Sequence, residues 1–495
     1  MSKGKKKTNK RTVMLLAVLA VLLLLGGALA FLLLYEGGEG DDTSSITPTP
    51  TAKYLITDKT AADVKSVTIK NPTGTFTITP DGESYTIASY VDAAGETVAL
   101  PADVVFNKSS VDFAVNALFT ATMSQIIEDG ADNLSLYGLQ SPSTTVDISY
   151  GDGSSATYLV GSDAPDGTNY YAYNPQTKEV GLITKNALAR VVIGKEEFVD
   201  KTLVPTKEDD TITMSKAVLG GTLRPEPIVI EAYSEQEIAA AAENSLVPSG
   251  YKITAPKQRD ADTSRTTVIT DEQWGLQAAA VAYLAPTEEQ LLQTGLAEPF
   301  STLSLTFDGQ TVELSLGNKN DDGQYYCMTS RNNAIMLVAP DNVGWAELKE
   351  FDVYYKLVVV PNIKTVAALT VEFDGKQHRY VLTHDEENNL TVTTGGKEIN
   401  DEVFRSFYQL VLSAKGEYET GEIPEGTPVQ MKITYEYLDK SQPNTVIELF
   451  SISDRRSAIR HNGEDTGFAV RSLFVDKVKA SVDQVLAGEK IIVTW

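Results

Sequence analysis

Three histidines, one cysteine and two tyrosine pairs are the side chains from which chemistry would have to be built. His378, His384 and His461 are the only histidines. Three imidazoles and an acid could hold zinc. His378 and His384 lie six positions apart, which puts them on one face of a strand. Their spacings match no ordinary ligand set, so all three read as surface side chains without a shared role. Cys327 follows Tyr326 in a strand-like run and reads as a small buried apolar residue. Asn318-x-Asn320-x-Asp322-Gly323 imitates the first half of a calcium loop, but Thr329 stands where the bidentate acid belongs. An exposed turn is the simpler reading.

Two further motifs fail on context. Gly151-Asp152-Gly153-Ser154-Ser155-Ala156 fits a dinucleotide fingerprint, which needs a helix next to hold the pyrophosphate. Strand-like Thr157-Tyr158-Leu159-Val160 follows instead, so the glycines predict a hairpin turn. Ser249-Gly250-Tyr251-Lys252 matches Ser-x-x-Lys, without the Ser-Asp-Asn or Lys-Thr-Gly partners of the penicillin-recognising enzymes. No catalytic residue, metal ligand or cofactor is expected.

The tyrosine pairs belong to something larger. Gly138-Leu139-Gln140-Ser141-Pro142 is followed by Leu159-Val160-Gly161 and then Tyr170-Tyr171. Gly295-Leu296-Ala297-Glu298-Pro299 is followed by Ser315-Leu316-Gly317 and then Tyr325-Tyr326, about 155 residues later throughout. Duplication of a whole unit points to scaffolding or a binding surface. In alternating strands one tyrosine of each pair faces in and the other out. Tyr170, Tyr171, Tyr325 and Tyr326 are therefore the candidate partner surface, although packing under a neighbouring loop explains them equally well. Gly138, Pro142, Gly161, Gly295, Pro299 and Gly317 are the structural motif; Gly before Leu-x-x-Pro suits a turn with positive φ.

Period-two alternation outlines the elements. Val64–Lys70, Phe76–Thr79 and Tyr85–Ile87 read as strands turning at Asp81-Gly82. Helical spacing predicts a helix over Val111–Ile127, capped by Ser109 or Ser110. A four-strand meander and a short closing helix at Asn186–Val192 complete the first repeat. In the second, a helix is expected over Asp271–Leu284, and Ser245–Arg265 reads as a surface insertion. In the third, a helix is expected at Asp401–Leu412 and another at Val475–Leu486, with Gly467–Val470 in the place of the Tyr-Tyr strand. The Gly-Leu-x-x-Pro signature is lost there.

The N-terminal residues carry Lys3, Lys5, Lys6, Lys7, Lys10 and Arg11, followed by 23 uncharged residues from Val13 to Tyr35. That length spans a bilayer core, and the basic cluster keeps the N-terminus cytoplasmic. The rival is a signal peptide cleaved after Ala28-Leu29-Ala30, which leaves a greasy new N-terminus at Phe31. Gly37–Thr51 is a Gly/Ser/Thr/Pro linker. Beyond the basic tail, 36 basic side chains face 67 acidic ones, a net of −31 that repels nucleic acid. The expected organisation is a basic tail and transmembrane helix (1–35), a linker (36–59), and three α+β repeats (60–205, 206–361 and a degenerate 362–495). Each repeat is antiparallel sheet with a covering helix.

Leu136-Tyr137-Gly138-Leu139…Pro142, with Gly161, Tyr170-Tyr171 and Phe198-Val199-Asp200-Lys201, resembles the bacterial domain-of-unknown-function family numbered 4340. The resemblance is best over residues 60–205, weaker over the second repeat and faint in the third. It implies a single-pass anchored extracytoplasmic protein, and at most an accessory role beside ABC transporters of the gliding-motility type. It supplies no catalytic residues. The expected function is an anchored binding or scaffold protein whose partners are the membrane and a membrane complex such as an ABC transporter. An enzyme acting on envelope polymers and a purely structural spacer are the alternatives.

Overall fold

The computed structural model describes residues 52–244 and 250–495. The basic tail, the apolar run, most of the linker and Ser249 lie outside the described residues. Among the described residues no helix is long and apolar enough to cross a membrane.

Alternation builds the first module. In β1 (Val64–Asn71) and β2 (Gly74–Asp81), Val67, Ile69, Phe76 and Ile78 point inward and are fully buried, while threonines and lysines alternate with them. β3 (Ser84–Asp92) and the short β4 (Thr97–Val98) extend this meander. α1 (Lys108–Thr120) then crosses one face and returns to β5 (Gln125–Asp129). A second meander follows, with β6 (Thr144–Tyr150), β7 (Ser155–Asp163), β8 (Asn169–Asn174) and β9 (Glu179–Thr184). Across the sheet the order is β4-β3-β2-β1-β6-β7-β8-β9-β5, antiparallel throughout. α2 (Lys195–Phe198) closes the module.

The second module repeats this plan. Its strands are β10 (Met214–Gly220), β11 (Ile228–Ala232), β12 (Tyr251–Ala255), β13 (Arg259–Asp260), β14 (Ala280–Leu284), β15 (Ser301–Phe307), β16 (Gln310–Lys319), β17 (Tyr325–Thr329) and β18 (Asn332–Val338). α3 (Thr263–Thr270) occupies the place of α1 and α4 (Glu350–Val353) that of α2. The third module has β19 (Val366–Phe373), β20 (Lys376–His384), β21 (Leu390–Thr394), β22 (Lys397–Ile399), α5 (Asp401–Leu412), β23 (Tyr418–Glu419), β24 (Val429–Tyr437), β25 (Thr445–Ser453), β26 (Arg456–His461), β27 (Glu464–Arg471) and α6 (Ser472–Ala487). All three nine-stranded sheets have the same order: the fifth strand crosses to the far edge, beside the ninth. The degenerate third copy keeps the topology of the other two.

Local chemistry accounts for the punctuation. Asp308-Gly309 and Asp374-Gly375 both sit at positive φ (46° and 71°, 49° and 73°), as a tight two-residue hairpin turn demands. Asn107, Asp262 and Asn400 cap α1, α3 and α5 by accepting the backbone N–H three residues on. On α5, Phe404, Phe407, Leu410 and Val411 are fully buried, and Tyr380 of the sheet lies 5.4 Å from both phenylalanine rings.

Four expectations need correction. α1 ends at Thr120 and is capped by Asn107, not Ser109 or Ser110; residues 122–129 are extended. Asp271–Leu284 is not a helix. The helix precedes it at Thr263–Thr270, and Ala280–Leu284 is the edge strand β14. A bulge between Val281 and Tyr283 breaks the period of two there, and β5 carries its own bulge beside β9. The extra residue gives the apolar side chains a spacing that imitates a helix. The described part of Ser245–Arg265 is no insertion, since it supplies β12, β13 and the start of α3. Finally, β26 rather than Gly467–Val470 fills the Tyr-Tyr slot.

Candidate functional site

The repeated glycines hold a lid on each sheet. Gly138 has φ 67° and ends the turn Leu134–Tyr137; Gly295 has φ 73° and follows the helix Glu288–Gln293. Opposite them, a Cβ on Gly161 would stand 2.2 Å from the Tyr137 carbonyl oxygen, and one on Gly317 2.1 Å from that of Thr294. Only glycine permits this approach, which explains why both members of each pair recur. Pro142 and Pro299 lie where the lid returns to β6 and β15.

The tyrosine pairs divide between the two faces. Tyr170 and Tyr325 pack on the main core; Tyr325 is buried and donates to Glu347 Oε1 at 2.8 Å. Tyr171 lies beneath the lid, its ring 5.0 Å from that of Tyr137, over a small cluster of Ala131, Leu139 and Val180. Tyr326 is half-buried on the corresponding face of the second module. In the first module, the protein's own lid occupies the place offered to a partner.

The other candidates disperse. Asn320 Oδ1 accepts from the N–H groups of Asp322 (3.1 Å) and Gln324 (2.8 Å), so it shapes a turn. Gly153 N–H closes a hairpin on Tyr150 O at 3.1 Å. Cys327 is 1 % exposed, and burial pushes its thiol pKa up to about 12. All three histidines are half-buried rather than freely exposed. His378 stacks on Phe373 at 5.0 Å, His384 keeps both ring nitrogens buried without partners, and His461 lines a cleft. Among the described residues no group of His, Cys, Asp and Glu could hold a metal.

Phe351…Leu357 to Pro361 mirrors Phe198…Leu203 to Pro205 in the sequence, and this repeated segment proves to be the joint between modules. Lys53-Tyr54-Leu55-Ile56, Lys201-Thr202-Leu203-Val204 and Lys356-Leu357-Val358-Val359 are three copies of one strap. Each pairs with the chain ahead of the fifth strand: Tyr54 with Thr122, Thr202 with Gln277, Leu357 with Lys415. The same hydrogen bond recurs from Leu55 N to Ala121 O (2.8 Å), Leu203 N to Leu276 O (2.9 Å) and Val358 N to Ala414 O (3.3 Å). A lysine, any residue and two branched apolar residues, thrice repeated, is the signal that would have revealed it.

The first joint is sealed. Asn332, 3 % exposed, stands at the hairpin between β17 and β18. Its Nδ2 donates to Val105 O (2.9 Å) and Asp200 O (2.8 Å), and its Oδ1 accepts from Val105 N (2.9 Å). Thr329 Oγ1 donates to Leu203 O at 2.9 Å. Lys195 Nζ donates to Ala282 O (2.9 Å) and Glu196 Oε2 accepts from Val281 N (2.8 Å), so α2 clamps the edge strand β14. Burial lowers the Lys195 pKa and raises that of Glu196.

The second joint has the same backbone and different side chains. Asp200 N donates to Val105 O at 3.0 Å; the corresponding bond runs from Tyr355 N to Asp260 O at 2.8 Å. Arg259 and Asp260 thus stand in the slots of Val104 and Val105. At the hairpin, the pair His461–Glu464 replaces Thr329–Asn332. Glu464 is exposed and makes no corresponding seal. Arg259 crosses instead: Nη2 donates to Thr466 O at 2.8 Å, and the guanidinium lies 5.5 Å from the Phe468 ring centre. What remains is a cleft of two adjoining lobes, about 240 and 300 Å³, which share Asp260, Tyr355, Leu357, Val358 and His461. Tyr233 donates its hydroxyl to Asp260 Oδ1. Lys252 pairs with Glu237. Burial, and then the charge of Arg259, lowers the His461 pKa, so its imidazole is neutral at pH 7.

Residues 97–299 match the family model described as Domain of unknown function (DUF4340). This is the family that the Gly-Leu-x-x-Pro motif resembles. The DUF4340 match takes in the second strap and α2 and ends before β15, so Thr329 and Asn332 lie beyond it. No curated protein and no solved structure matches the chain.

Proposed function

We propose that this chain is a membrane-anchored extracytoplasmic binding or scaffold protein, an accessory of an ABC-type transport complex. The observation that carries the reading is serial construction. One nine-strand order occurs three times, and one strap hands each module to the next. Quasi-linear arrays of this kind present extended surfaces in which each unit contacts its neighbours. The basic tail and the 23 uncharged residues after it supply the anchor, and the acidic remainder suits a chain exported away from nucleic acid and anionic headgroups.

Two measurements on the full chain test it. Protease added to spheroplasts degrades the modules and spares the basic tail; a soluble mature form starting at Phe31 refutes the anchor. Crosslinking in intact membranes, followed by affinity capture, enriches a permease or ATPase subunit. Enrichment no greater than that of an unrelated single-pass protein refutes the transporter partnership.

A further inference from the structure

The first and second joints share a backbone arrangement and differ in the side chains that meet there. Where Asn332 fills the first joint with three hydrogen bonds, the second has a two-lobed cleft. Its larger lobe, about 300 Å³, lies at the lower end of the range for small-molecule sites, which runs from about 300 to 1,000 Å³. We infer that this cleft binds a neutral polyhydroxylated ligand, a saccharide of one or two rings. The reading does not depend on the transporter partnership.

Three properties of the cleft select that chemistry. The first is its walls. Tyr233 lines one lobe and Tyr355 both. A sugar ring has an apolar face of C–H groups, which an aromatic ring covers while its own hydroxyl stays wet. The second is its hydrogen-bonding stock. Asp260 is an acceptor, neutral His461 has one donor and one acceptor nitrogen, and Gln442 Oε1 is buried without a partner. Such side chains suit hydroxyl groups, each of which donates once and accepts twice. The third is charge. The cation Arg259 is opposed by the carboxylates of Glu464, Glu350 and Asp260, while Lys252 is paired with Glu237. No unopposed positive field remains for an anion, and the chain's net charge of −25 disfavours one further.

The full chain in a non-glycosidic detergent is the material for the test. Its melting temperature is followed with glucose, galactose, mannose, N-acetylglucosamine and their β-1,4-linked dimers at millimolar concentration, with citrate and inorganic phosphate as anionic probes. At least one sugar is expected to raise the melting temperature, as binding to the folded state alone requires. Tyr355→Ala and Gln442→Ala are each expected to weaken that binding about tenfold or more, with the sugar-free melt unchanged. If Tyr355→Ala fails to fold, the Gln442→Ala result decides. The inference is overturned if no sugar shifts the melt or if the shift survives intact in the variants. A response to the anions alone, fading with salt, also overturns it.

Discussion

Replacing Asn332 with Ala removes three hydrogen bonds at once; it leaves Val105 N and Asp200 O without their partner, and Val105 O with the Asp200 N–H alone. The side chain is 3 % exposed, so water does not readily take its place. At about 1 kcal/mol net for each bond, the cost is about 3 kcal/mol. In an array of modules, stability is a sum of unit terms and nearest-neighbour terms, and this loss falls on the coupling of the first module to the second. Amide hydrogen exchange locates it. The Val105 N–H, which donates to Asn332 Oδ1, is expected to exchange about a hundredfold faster, at about 1.4 kcal/mol per decade. The amides of the third module are expected to stay unchanged. Glu464→Ala, made in the corresponding slot of the second joint, is exposed and is expected to cost less than about 0.5 kcal/mol. A Val105 exchange rate within about threefold of the parent refutes the idea that Asn332 seals the joint. So does a loss spread evenly over all three modules.

Gly161→Ala drives a Cβ to 2.2 Å from Tyr137 O and is expected to cost about 1–3 kcal/mol. Gly151→Ala, with its nearest neighbour 3.8 Å away, is expected to stay within about 0.5 kcal/mol; equal urea midpoints for the two variants disprove the close-approach argument. Arg224, 5 % exposed, donates five hydrogen bonds, four to backbone carbonyls and one to Ser301 Oγ. Arg224→Met is expected to cost about 3–5 kcal/mol in chemical denaturation, and Arg224→Lys, with three donors, to recover only part of it. Cys327, with its thiol pushed up to about 12, is expected to resist a thiol-specific disulfide reagent at mildly alkaline pH in the native protein and to label once per chain in guanidinium; rapid native labelling contradicts its burial.

Elements whose period is uninterrupted were legible in the sequence. The hairpins at Asp308-Gly309 and Asp374-Gly375, the meander after Gly138, and the helices Asp401–Leu412 and Ser472–Ala487 follow from alternation, turn chemistry and one-sided apolar spacing. The edge strands β5 and β14 were hidden because a bulge in each destroys the period of two. The lid was legible as a motif but not as a mechanism. Gly161 and Gly317 matter for a carbonyl contributed from more than twenty residues earlier, which no local window contains. The cleft was invisible for a related reason. Tyr233, Arg259, Tyr355, Gln442 and His461 come from strand ends and loops of two modules, at spacings that match no motif. His461 looked like an isolated surface residue because the partner that buries it belongs to the preceding module.

The difference between the joints gives the degeneracy of the third module a physical meaning. Topology is kept by the core: Val371, Tyr380, Ile433 and Tyr435 are fully buried in the sheet positions that apolar residues also fill in the first module. The changes concentrate where one module meets the next. Asn332 becomes Glu464 and Thr329 becomes His461, while Arg259 and Asp260 of the second module stand where the first has Val104 and Val105. Drift relaxed only by loss of function would be expected to leave apolar or small residues packed into the gap, because burying Arg259 and His461 carries a desolvation cost that both pKa shifts register. Polar groups instead line an open space, and Gln442 Oε1 is held there without a partner. The segment matched to DUF4340 ends before any of the third module's residues in that cleft. The hairpin residues that set the two joints apart, Asn332 and Thr329 in one and Glu464 and His461 in the other, all lie beyond that segment, so this part of the contrast resides in the hairpin that each module presents to the one before it.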